Sequence, residues 1–116
     1  MAKFEKSFTG DLDAFVEHLN RAILTGSVSA SSEGVTNAAI GPARLAVRVY
    51  ERFSAMGGNR VSLNVSTLAV GDQLFTSAMT SGGSTAVFWK VMTVGEESFL
   101  KRAVAAIEDF AGSQST

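Results

Sequence analysis

Arg60-Val61-Ser62-Leu63-Asn64-Val65-Ser66-Thr67-Leu68-Ala69-Val70 and Gln73-Leu74-Phe75-Thr76-Ser77-Ala78-Met79-Thr80, joined by Gly71-Asp72, decide the fold. Both runs alternate apolar with polar residues, the period of a strand, and a two-residue link led by glycine folds them into an antiparallel hairpin. That link pairs Val70 with Gln73 and places Val61, Leu63, Val65, Leu74 and Ala78 on one face.

Turn signals divide the flanking sequence in the same way. Gly57-Gly58-Asn59 separates the hairpin from a strand over Ala43 to Phe53, and Gly41-Pro42 separates that strand from one over Val28 to Val35. Downstream, Ser81-Gly82-Gly83-Ser84 leads to a strand over Thr85 to Val94, which pairs Thr80 with Thr85. One more strand, Lys3 to Thr9, comes first.

Two helices flank this block. Leu12, Phe15, Val16, Leu19 and Ile23 recur at helical spacing, with Asp11 as N-cap and Gly26 placed to end the helix in the left-handed conformation. After Gly95, Phe99, Leu100, Ala103, Val104, Ile107 and Phe110 form a second apolar stripe that Gly112 terminates. The expected fold is α+β: an antiparallel sheet of five to six strands with two helices on one face, in the order β-α-β-β-β-β-β-α. One domain covers 1–112, and 113–116 form a flexible tail.

Alternation predicts a core face of Leu45, Val47, Val49 and Phe53, then Val61, Leu63 and Val65, Leu74 and Ala78, and Val87, Trp89 and Val91. The opposite face then carries Arg44, Arg48, Tyr50 and Arg52 on one side. On its other side Leu68, Val70, Phe75, Met79, Phe88 and Met92 form an apolar patch, which a monomer rarely leaves in water.

The 116 residues carry a net charge of -1, no cysteine and one histidine. Absence of cysteine removes disulfides, thiolate metal sites and cysteine nucleophiles, and the charge argues against wholesale binding of nucleic acid or anionic membrane. The N-terminus has no apolar leader segment and no run reaches the roughly 20 apolar residues of a membrane span, so the expected location is cytoplasmic. Charge is nonetheless segregated: Ala43 to Gly95 holds five basic and two acidic residues, the rest five and nine.

Arg44, Arg48 and Arg52, with Tyr50 between two of them and Arg60 nearby, form the most suggestive polar feature, because guanidinium groups grip carboxylates and phosphates bidentately. A solvated face paired with Glu51 or helix carboxylates explains them more simply. Ser81-Gly82-Gly83-Ser84-Thr85 lacks the Lys of a phosphate-binding loop and reads as a hairpin link. His18 has no ligand-spaced partner and no strained nucleophile motif is present, so no catalytic residue, metal or cofactor is assigned.

The stretch Leu45 to Phe53, above all Val49-Tyr50-Glu51-Arg52, together with Gly57-Gly58-Asn59-Arg60 and Thr80-Ser81-Gly82-Gly83-Ser84, resembles a family of small uncharacterised bacterial proteins over most of the chain. That resemblance implies no activity and no site residues. The element order is also similar to that of TATA-binding-protein-like and helix-grip folds, an analogy of topology alone.

The leading expectation is a non-catalytic binding or interaction module, a homodimer joined through the apolar patch, without nucleic-acid or membrane partners. The alternative is a small-ligand carrier with a cavity lined by Phe53, Trp89, Phe99 and Phe110 between sheet and second helix. An enzyme comes third and requires Arg48, Tyr50, Arg52 and His18 to gather.

Overall fold

A computed structural model describes residues 2–26, 29–53, 60–82 and 89–114, with side chains outside the description at 89–97. The elements are β1 (Ala2–Thr9), α1 (Leu12–Gly26), β2 (Ser31–Ile40), β3 (Ala43–Phe53), β4 (Arg60–Val70), β5 (Gln73–Gly82) and α2 (Trp89–Gln114). The strands form one antiparallel sheet ordered β1-β5-β4-β3-β2. The α+β class, the antiparallel sheet and the two helices are as the sequence predicts.

Both short links are hairpins. Val70 pairs with Gln73 across Gly71-Asp72, and Ile40 with Ala43 across Gly41-Pro42. Gly41 (φ 56°) and Gly71 (φ 61°) hold the first loop position in the left-handed region, where a side chain would be strained.

Of the strand expected over Thr85 to Val94, the part from Trp89 to Val94 is helical instead. From Trp89 onward the chain belongs to α2, which runs through Gly95 and Gly112 to Gln114, while 83–88 lie outside the described residues. The reason is topological. A strand hairpinned to β5 needs a free neighbour position, and β1 already fills that side from Ala2↔Thr80 to Thr9↔Gln73, with β4 on the other. At the far end α2 continues to Gln114, with Ser113 Oγ donating to the Phe110 carbonyl at 2.8 Å, and the last two positions of the expected tail lie outside the described residues.

α1 buries Leu12, Phe15, Leu19 and Ile23, and Asp11 Oδ2 accepts the Ala14 N–H at 2.9 Å as the N-cap. Gly26 does not adopt positive φ. Arg102 of α2 lies against it instead, in the space a side chain would take, and brings to the helix C-terminus the positive charge that the last turn of α1 lacks. α2 crosses β4, β5 and β1, and α1 packs on α2. The core includes Phe15, Tyr50, Leu63, Val65, Phe99 and Ile107, with the Phe8, Phe15 and Phe110 rings meeting edge to face at the seam of β1, α1 and α2.

Beneath α2 the sheet is small and partly polar. Thr67 and Thr76 share a buried hydroxyl hydrogen bond of 2.9 Å, and Thr76 Oγ1 also donates to the Ser66 carbonyl. Thr80 Oγ1 is buried and finds no partner among the described residues. Thr80→Val keeps the shape and removes that unpaired hydroxyl, so it is expected to stabilise the fold by about 1 kcal/mol. A urea midpoint at or below that of the parent chain would show that the hydroxyl is satisfied.

Candidate interaction surface

The helices cover one side of the sheet. Register identifies the residues of the other: Ala38, Leu45, Leu68, Phe75 and Ser7 form one row across all five strands. The neighbouring row is Ile40, Ala43, Val70, Gln73 and Thr9. No charged side chain stands in either row. Leu68, Val70 and Phe75 are 48%, 49% and 41% exposed, and Ile40 is 84% exposed, so nothing among the described residues covers them. An open depression of about 420 Å³ lies at this end, lined by Ser7, Thr9, Leu68, Val70 and Phe75 among others.

Moving along the strands, the face turns polar. Thr36, Val47, Ser66, Ser77 and Glu5 form the next row, followed by Gly34, Val49, Asn64, Met79 and Lys3. Its charges are internally compensated: Lys3 stands 4.0 Å from Glu5, and Arg60 lies 3.3 Å from Glu51.

Of the expected patch, Leu68, Val70, Phe75 and Met79 lie on this open face. Met92 belongs to α2 and not to a strand, and Phe88 lies outside the described residues. Leu45, Val47, Val49 and Phe53, expected in the core, are on the open face instead, and Leu45 extends the apolar row directly beside Leu68.

The exchange turns the arginines of β3 toward the helices. Arg44 pairs with Asp13 of α1 at 2.8 Å, which holds the Asp13 carboxyl below its ordinary pKa through a hydrogen bond and charge attraction. Arg48 Nη1 donates to the Thr36 and Val47 carbonyls at 3.2 and 3.0 Å. Tyr50 is fully buried and its hydroxyl lies 3.2 Å from Asn20 Oδ1 of α1. Arg52 stacks on the Phe99 ring at 4.6 Å; burial, and then the charge of Arg102, lower its pKa. Arg60 stays on the other face beside Glu51, over the Phe53 ring. Long amphipathic side chains suit this position because β3 lies at the rim of the helix layer, where an apolar stem packs and a polar head reaches the helix surface. The five residues therefore engage separate partners and do not converge on one oxyanion.

A family of unknown function, DUF6054, matches residues 1–111. The chain belongs to DUF6054. No curated protein and no solved structure matched it significantly.

Two other expected clusters of this DUF6054 chain are dispersed. Phe53 projects to the open face while Phe99 and Phe110 pack in the core, so these three do not line one cavity; the Trp89 side chain lies outside the description. His18 Nε2 lies 3.5 Å from Asp109 Oδ2, with its ring beside Phe110. It is two residues, or about 200° of helix, from the Asn20 that meets Tyr50. Among the described residues no three His, Asp or Glu side chains gather as metal ligands, and no helix is long and apolar enough to cross a membrane.

Sequence reasoning missed Leu45, Ala38 and Ile40 as surface residues. Their signal was the Gly41-Pro42 link, which pairs Ile40 with Ala43 and Ala38 with Leu45. Carried one strand further, that register sets Leu45 beside Leu68.

Proposed function

We propose that this chain is a non-catalytic interaction module that docks face to face on a second copy of itself through the open side of its sheet. The supporting observation is the charge-free apolar cluster of Leu45, Leu68, Val70, Phe75 and Ile40 on the open sheet face, uncovered among the described residues. Packing two such faces is the ordinary means of burying a sheet that lacks a second layer.

A second copy fits for two reasons. The net charge of -1 raises almost no repulsion between copies, and the charges beside the cluster are paired within the same face, so a twofold contact leaves none of them stranded. Leu68→Glu and Phe75→Glu should each halve the mass of the assembly measured by light scattering at micromolar concentration, with an unchanged circular dichroism spectrum. A mass that neither substitution alters would sink this reading.

A further inference from the structure

The sheet edge offers a surface separate from the open face. Both outer strands expose an edge, but they are defended differently. β1 carries Lys3, Glu5 and Lys6 within eight residues, and Lys6 is bridged to Glu108 of α2 at 2.9 Å. Charges along an edge strand deter a further strand from pairing. β2 has one irregularity, at Glu33 between Ser32 and Gly34, and from Gly34 to Ile40 it contains no charge and no proline. All six residues from Val35 to Ile40 are exposed.

Arg48 reveals which peptide groups of β2 point outward. One guanidinium nitrogen reaches the carbonyls of both Thr36 and its partner Val47. Those oxygens therefore cannot lie on opposite sides of the two-strand ribbon. Thr36 and Val47 must be a pair that exchanges hydrogen bonds, since a non-bonded pair aims its carbonyls away from one another. Alternation then directs the peptide groups of Thr36, Ala38 and Ile40 to β3, and those of Val35, Asn37 and Ala39 to the open edge.

We infer that this edge pairs antiparallel with β2 of a second copy about a twofold axis at Asn37, extending the sheet from one chain into the next. Asn37 faces the partner's Asn37, and Val35 faces the partner's Ala39. The three outward residues of each strand then supply about six interchain N–H···O bonds. The side chains brought side by side are small or apolar and carry no charge. A foreign strand is a poorer fit, because sheet-edge recognition of peptides draws its specificity from side-chain pockets beside the edge. Among the described residues, the side chains of β2 are exposed on both faces from Val35 onward, and none forms such a pocket wall. What remains is a ladder of donors and acceptors from Val35 to Ala39, which the same segment of a second copy matches with no like charges set side by side.

This inference rests on the backbone edge and not on the apolar face, and the two are separable. In the Leu68→Glu background, where face docking is removed, the chain should remain a dimer. Adding Asn37→Pro should make it a monomer, because the lost N–H points outward and proline is tolerated on an edge strand with that orientation. Asn37→Lys, which sets two ammonium groups together at the axis, should do the same without altering the backbone. Since the chain has no cysteine, Leu68→Glu with Asn37→Cys should also be joined by a short bis-maleimide into a covalent dimer, whereas Ser7→Cys on β1 in the same background should not. A Leu68→Glu chain that is already monomeric, or a dimer indifferent to Asn37→Lys, overturns the edge pairing and leaves face docking standing. A wild-type mass that falls with Asn37→Lys but not with Leu68→Glu overturns the face reading alone.

Discussion

Phe15→Ala is expected to lower the unfolding free energy by about 3 to 5 kcal/mol, the cost of deleting a buried aromatic ring whose site cannot close. Phe15 is fully buried, and its ring meets Phe8 of β1 at 5.0 Å and Phe110 of α2 at 5.3 Å, both edge to face. It is thus the residue through which the first strand, the first helix and the last helix share one core. Collapse into the vacated volume is opposed on both sides. Phe8 is held by the β1–β5 ladder, and Phe110 packs against Gly10 so closely that an added methyl group would overlap its ring. Urea denaturation followed by circular dichroism measures the loss, with Val16→Ala, half-buried on the same helix, as a milder control. A loss for Phe15→Ala no larger than for Val16→Ala would mean that the three-ring seam does not carry the core.

The features that sequence exposed are those fixed by short-range geometry. The β4–β5 hairpin was legible because a two-residue link leaves no freedom in parity, so the pairing of Val70 with Gln73 determines the facing of every residue to Leu63 and Thr80. α1 was legible from its stripe and from Asp11, whose capping bond spans three residues. The facing of β3 was not. Between Phe53 and Arg60 lie six residues, too many to transmit parity, and side-chain character misleads at the rim of a helix layer. There the arginines and Tyr50 reach the helices, while Leu45, Val47 and Val49 line the open face. Trp89 to Val94 was ambiguous for another reason: a short apolar run matches strand and helix alike, and what excludes the strand is β1 returning from the other end of the chain to occupy the place beside β5. The same limits apply to the candidate surface. Leu68, Val70, Phe75 and Met79 were readable from one hairpin, whereas Leu45 and the bare edge of β2 required knowing which strands end up at the rim.

Tyr50 should make the protein lose stability at alkaline pH, in proportion to how completely its hydroxyl is sealed. Burial raises its pKa from 10.0 to about 12, against a smaller opposing pull from the positive charge of Arg48. In the unfolded chain the phenol ionises near 10, so the unfolded state gives up its proton first. Stability from the neutral phenol is fully present below about pH 10 and is lost as pH rises through about 12; over that interval the loss is on the order of 2 kcal/mol. Because Tyr50 is the only tyrosine, tyrosinate absorbance reports this group alone. The native protein should titrate well above free tyrosine, or else titrate in one cooperative step with unfolding. Tyr50→Phe separates the two effects of the hydroxyl. At neutral pH the variant should be less stable by about 1 kcal/mol, because Asn20 loses its partner. Above about pH 11 that deficit should vanish or reverse, because phenylalanine has no proton to lose. Ordinary titration near pH 10 without unfolding would place the ring in water, and would contradict both the core position of Tyr50 and the facing of β3 that follows from it.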